Sequence, residues 1–136
     1  MSGVIVPILR MTDYNFSFLT GNLSRTVRIH SALACAPFYY GTLELRVHDH
    51  NLTAGQSIVL SGWGTNPSRE DPTEFTEATT TLSITVTSAT AAPYLARRTQ
   101  SDISTFLKVQ LVFTQGTATG TALFARLSAD LTLREA

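Results

Sequence analysis

The chain has 136 residues, 10 basic and 10 acidic side chains, one cysteine and a formal net charge of zero. That length suits a single domain, expected over residues 1–136, and the composition excludes a disulfide-built scaffold, a collagen-like or coiled-coil fibre and a disordered tail. Charged residues are only 15% of the chain, against ~25% in soluble domains at large; in their place stand 21 Thr and 12 Ser, with Lys108 the only lysine.

From the N-terminus, Val4-Ile-Val-Pro-Ile-Leu9 reads as an edge strand, because Pro7 has no N–H to give to a ladder. Residues 1–12 are thus expected to form an N-terminal arm or edge strand. Tyr14, Phe16 and Phe18 make a short aromatic face. Val27, Ile29 and Leu33 alternate with Arg28, His30 and Ala32, and Leu43, Leu45 and Val47 alternate with Glu44, Arg46 and His48. Ile58 and Leu60 lead into Gly62-Trp63-Gly64, where glycines mark a bulge or strand end. Leu82, Ile84 and Val86 alternate with Thr81, Ser83, Thr85 and Thr87. Gln100 to Thr105 is the one stretch that opens like a helical turn. Leu107, Val109, Leu111 and Phe113 precede the long run Leu123, Ala125, Leu127, Ala129, Leu131 and Leu133, and Gln115 to Gly120 between them reads as a hairpin loop. The longest loop, Asn66 to Phe75, holds three of the ten acidic residues. About eight strands, rich in Thr, Val, Tyr and Phe, without long helices between them, predict an all-β fold: one antiparallel, jelly-roll-like β-sandwich.

The balanced charge supplies no basic field for a phosphate backbone, so no nucleic-acid partner is expected. No window approaches the ~20 apolar residues of a membrane helix, so no membrane partner is expected either. The first ten residues lack the basic start and apolar length of a signal peptide, which predicts cytoplasmic synthesis without export. On that reading the glycosylation patterns at Asn22 and Asn51 are chance.

His48-Asp49-His50 is the local cluster of metal-ligand type, and on a regular strand positions 48 and 50 share a face. Gly41 followed by this His-x-His resembles the cupins, which implies a metal-dependent jelly-roll enzyme. The chain departs from that family's pattern: the spacing is one residue longer, no glutamate follows at the expected distance, and the later Pro-x-Gly and His are missing. Two solvent-facing histidines at a strand end, with no metal and no cofactor, are therefore expected. No Gly-x-Ser-x-Gly elbow or phosphate-cradling glycine loop occurs. Cys35 lies between alanines, with no neighbouring base to activate it. Glu70-Asp71 and Glu74/Glu77 sit in the polar loop rather than a pocket. No catalytic residue is expected.

Tyr39, Tyr40 and Trp63 are the aromatic residues a carbohydrate-binding module would use for stacking, although core or interface packing accounts for them as well. Thr79, Thr81, Thr85 and Thr87 make a neutral, β-branched surface. Such a surface can be covered without desolvating charge, and interface cores are depleted of Lys, Glu and Asp. Together with Val4 and Val6 of the arm, these are the expected interface residues. The function expected is that of a non-enzymatic structural protein that self-associates in a larger assembly. Its partners would be protein subunits in a homo-oligomer, and its setting a virion, as a bacteriophage head-decoration, capsid or tail protein. The alternatives are the carbohydrate- or ligand-binding module and the metal-dependent enzyme.

Overall fold

The computed structural model describes residues 3–17, 24–35, 38–65, 79–101, 106–115 and 122–135. These contain eight strands: β1 (Gly3–Ser17), β2 (Ser24–Ala34), β3 (Tyr40–His50), β4 (Ser57–Thr65), β5 (Thr79–Thr87), β6 (Tyr94–Ser101), β7 (Phe106–Thr114) and β8 (Ala122–Arg134). They form two antiparallel sheets, in the orders β1-β8-β3-β6 and β2-β7-β4-β5. The pairing is nested: β1 with β8, β2 with β7, β3 with β6 and β4 with β5. The chain is in effect one long antiparallel hairpin, rolled until β3 also meets β8 and β4 also meets β7. That is the eight-stranded jelly roll. Among the described residues there is no helix long and apolar enough to cross a membrane.

Period-two alternation explains the core. Leu123, Ala125, Leu127, Ala129, Leu131 and Leu133 of β8 face inward, as do Leu107, Val109, Leu111 and Phe113 of β7, all at most 1% exposed. These two strands are central in their sheets and meet Leu43, Leu45 and Val47 of β3, Ile58 and Leu60 of β4, and Leu82, Ile84 and Val86 of β5. Tyr14 and Phe16 of β1 close one end of this layer against Phe113, with ring centroids 5.0 and 4.7 Å away. Each large side chain buried in this way contributes ~1.5–3 kcal/mol.

Three expectations about elements are corrected. The arm and the aromatic face are one strand, β1, whose register against β8 slips between Pro7 and Leu9 and again between Leu9 and Thr12; each slip reverses the inside–outside parity and hides the alternation. A strand the alternation did not reveal, β6, occupies Tyr94–Ser101 and takes in Gln100 and Ser101 of the expected helical turn. Its burial barely alternates, with Ala96 the only buried residue, because it is an edge strand. Finally, β7 and β8 do not form a hairpin. They belong to different sheets, and the connection between them crosses the sandwich. The loop Asn66 to Phe75 lies outside the described residues.

The β3–β4 connection is held by its own polar groups. Gln56 N donates to Thr53 O at 3.0 Å, and Thr53 N donates back to Gln56 Oε1 at 2.9 Å. Gly55 adopts φ 90° at the third position of this turn, a conformation that disfavours any side chain.

Candidate functional site

The inner faces of the two sheets are alike, so what distinguishes the molecule's surfaces is on the outside. The β1-β8-β3-β6 sheet carries six of its charges in ion pairs. Glu44 is at the centre, bonded to Arg46 on its own strand and, at 2.6 Å, to Arg97 of β6. Arg46 reaches Asp130 of β8 at 2.7 Å. One row further, Arg126 grips Asp13 of β1 with Nε and Nη2 at 2.6 and 3.2 Å. The Arg126 guanidinium holds the Asp13 carboxyl below the usual carboxylate range. Thr42 and Thr99 share a hydrogen bond of 2.9 Å beside this ladder.

The β2-β7-β4-β5 sheet is built differently. Its four strands contain no Asp or Glu, and their only charged side chains are Arg25, Arg28 and Lys108. Gln110, Val112 and Thr114 of β7, Ser57 and Val59 of β4, and Ser83, Thr85 and Thr87 of β5 alternate with the inward residues and make up its outer side, while Ser61 of β4 is buried. The surface is one of hydroxyls and β-branched carbons, and its strands carry no carboxylate of their own.

Of the expected interface residues, Thr85 and Thr87 are exposed on β5, an edge strand of this second sheet. The Thr87 hydroxyl is engaged locally, accepting from Ala89 N at 3.3 Å in the turn that leads to β6. Register slips between Gly62 and Trp63, leaving Thr79 opposite Gly64 and Thr80 opposite Trp63; the side chains of Thr79 and Thr81 lie outside the described set. Val4 and Val6 stand on β1 opposite Leu133 and Leu131. Val6 packs against the core, whereas Val4 is 42% exposed.

The two candidate metal ligands turn to different partners. The β3–β8 register shifts between Val47 and Asp49, so that Asp49 faces Arg126 and His50 stands opposite buried Ala125. His48 Nε2 pairs with Ser128 Oγ at 2.9 Å on the outer side. His50 Nδ1 accepts from Leu52 N at 3.1 Å, so its Nε2 carries the proton and donates to Thr90 O. His50 thus ties the β3–β4 connection to the β5–β6 turn with both ring nitrogens. Among the described residues, no three His, Cys, Asp or Glu side chains converge.

Tyr39 and Tyr40 contact each other edge to face, with centroids 4.9 Å apart and planes at 85°. They flank Arg134, whose carbonyl accepts from Tyr39 N at 2.9 Å. Perpendicular rings offer no common platform for a sugar. Trp63 belongs to the other sheet, in register with Lys108, and its side chain is outside the described set. Cys35 is fully buried, and burial pushes its thiol up to about 11, far from a nucleophile's range.

Some surface features gave no sequence signal. Pro93, Tyr94 and Leu95 form, with Arg46, Val47 and His48, an open groove of about 260 Å³ along the edge of β6. Inside the sandwich, Gln56 Nε2 donates to Gln115 Oε1 at 3.2 Å, and Gln115 Nε2 is buried without a partner.

No protein-family model matches the chain, and no curated protein matches its sequence. Its structure is similar to VP2 in the subviral particle of infectious bursal disease virus, with a TM-score of 0.61 and 13% identity over 97% of this chain and 31% of that one. It is likewise similar to the Gt strain of that virus, with a TM-score of 0.57 and 10% identity over 97% of this chain and 31% of that one. A mutant VP2 with derived T=1 particles gives a TM-score of 0.56 and 8% identity over the same shares, 97% and 31%. The chain thus spans about a third of the length of these viral chains. At such identities what is shared is the fold: a two-sheet antiparallel sandwich of the kind found in a viral capsid protein.

Proposed function

We propose that the chain is a structural subunit that associates with copies of itself in a larger shell, with a virion as its setting and a phage capsid, head-decoration or tail component as the specific form. The observation that carries this reading is the acid-free outer side of the β2-β7-β4-β5 sheet. Covering a carboxylate costs several kcal/mol unless it is paired. A sheet whose outer side instead has exposed Ser83 and Thr85 and half-buried Val59 and Val112 can be covered at little electrostatic cost, and interface cores share that depletion of acids and lysine. The zero net charge removes long-range repulsion between copies. The likeness to VP2, a protein found in subviral and T=1 particles, supports the same reading at the level of fold.

Sedimentation velocity over a range of concentrations tests it. The wild-type chain should gain mass with concentration. Thr85→Glu, placing a charge on the neutral side, should weaken association at least ~tenfold and leave the melting temperature unchanged. A chain that stays monomeric at every concentration would overturn the proposal.

A further inference from the structure

Among the described residues six large apolar side chains stand exposed: Val4, Ile5, Met11, Tyr39, Tyr94 and Leu95. Five of them lie on β1 and β6, the two edges of a single sheet. The edges of the other sheet, β2 and β5, have none. Ile5 is 66% and Leu95 48% exposed, which is costly for side chains that leave water readily.

Strand direction makes these two edges complementary. Each neighbour in β1-β8-β3-β6 is antiparallel, so β6 runs opposite to β1. A second copy set beside the first, with its sheet in the same orientation, offers β1 antiparallel to β6. The faces match as well. Ile5 stands opposite Thr132 and Leu95 opposite Arg46, both on the outer side. Val4 and Val6 stand opposite buried Leu133 and Leu131, while Tyr94 and Ala96 stand opposite buried Val47 and Leu45, all on the inner side. Setting Ile5 opposite Leu95, Val4 opposite Ala96 and Val6 opposite Tyr94 keeps both alternations intact.

Protection of the edges is confined to the remaining parts of both strands. Natural sheets blunt their edges with charges, prolines and bulges. On β6 the charges are Arg97 and Arg98. Arg98 stays exposed although it stands opposite buried Leu43, and its Nη1 donates to Arg97 O at 2.7 Å. On β1 the bulges run from Pro7 to Thr12. Val4–Val6 and Tyr94–Ala96 are left unblunted, and the matched register brings these two segments together. The groove of Pro93, Tyr94 and Leu95 opens on this same unblunted part of β6.

We propose that β1 of one copy adds to β6 of the next, with Val4–Val6 against Tyr94–Ala96, so that the β1-β8-β3-β6 sheet continues head to tail; the inference rests on the self-association reading above. The occupant is a second copy because both halves of the match, in direction, parity and apolar content, belong to this one chain. The contact is heterologous, and its geometry closes a ring or extends a filament. Being only three residues long, it is weak alone and calls for a trapping experiment.

Buried Cys35 leaves engineered thiols as the reactive ones. Ile5→Cys, Leu95→Cys and the double variant are made in the full chain and mildly oxidised, alongside sedimentation of the wild type. The double variant should give a ladder of disulfide-linked oligomers; an equimolar mixture of the single variants should stop at dimers, and each single variant alone should remain uncrosslinked. Cross-linking by Ile5→Cys alone would show β1 pairing with β1 and overturn the head-to-tail contact. A missing ladder from a wild type that still associates would also overturn it, while sparing the assembly reading. A monomeric wild type without a ladder would remove both.

Discussion

The two sheets bury equivalent faces and expose different ones. On the β1-β8-β3-β6 side, Glu44, Arg46, Asp130, Arg97, Asp13 and Arg126 are bonded among themselves. On the β2-β7-β4-β5 side, Ser83, Thr85, Val59, Val112 and Thr114 take the equivalent places without a carboxylate. The low charge of the chain is therefore not thinly spread: one surface pairs six of its charges internally and the strands of the other dispense with acids. A surface of paired charges is at home in water. A neutral one loses little on being covered, which is why it carries the proposed function.

The comparison breaks first if the sheets are not equivalent inside. Leu127→Ala in β8 and Leu111→Ala in β7 each remove a fully buried side chain from a central strand. Each should cost ~2–5 kcal/mol in urea unfolding, and a negligible cost at Leu111 would mean that the neutral sheet is not packed as its partner is. A smaller effect should come from Glu44→Gln. It removes both ion pairs of a carboxylate whose side chain is only 17% exposed. About 1 kcal/mol should be lost at low salt and less in 1 M salt; no substitution of Thr85 should show that salt dependence.

The acid limb of stability sharpens the contrast. Because Arg126 depresses the Asp13 carboxyl below its usual 3.8, this pair contributes above pH 3.8 and its contribution is lost as pH falls through the lower, folded value. Asp13→Asn should therefore flatten the stability profile below about pH 4, as read by thermal melts, with a small loss at neutral pH, where the wild type holds the pair's whole contribution, and none in acid, where it has already lost it. Smallest of all is the thermal effect of Ser83→Thr on the neutral side, expected within ~0.5 kcal/mol. A larger loss would mean that this surface is already engaged within the monomer.

Residues facing the core could be read from the sequence because burial imposes period two on central strands. The faces of β8, β7, β5 and β3 follow it throughout most of their length. The edges could not. β6 has one buried residue and a pair of adjacent arginines, so it carries no alternation to detect, while the slips near Pro7 split β1 into two apparent strands. One strand missed and one counted twice left the expected number close to eight. The connection 115–121 looked like a hairpin because it is short and holds glycines, yet sequence proximity does not say whether a turn stays within a sheet. Among candidate functional residues, the exposed Thr85 was legible by parity. The bulge after Val47 that separates His48 from His50 was not, and neither was the groove at Pro93–Leu95, which depends on neighbours distant in sequence.

The nested pairing has a consequence for biosynthesis. The central strands, β8 and β7, are the last two made, so β1 and β3 leave the ribosome before the strand that must lie between them exists, and β2 and β4 likewise wait for β7. Of the sheet pairs, β4 with β5 and β3 with β6 can close before the final quarter of the chain emerges. Until then Val4, Val6, Tyr14 and Phe16 have no partner. Such long-range closure slows folding and leaves apolar strands open to neighbouring nascent chains. A cell making many copies at once, as it would for a shell, therefore faces its main aggregation hazard during translation, before the finished surfaces have formed.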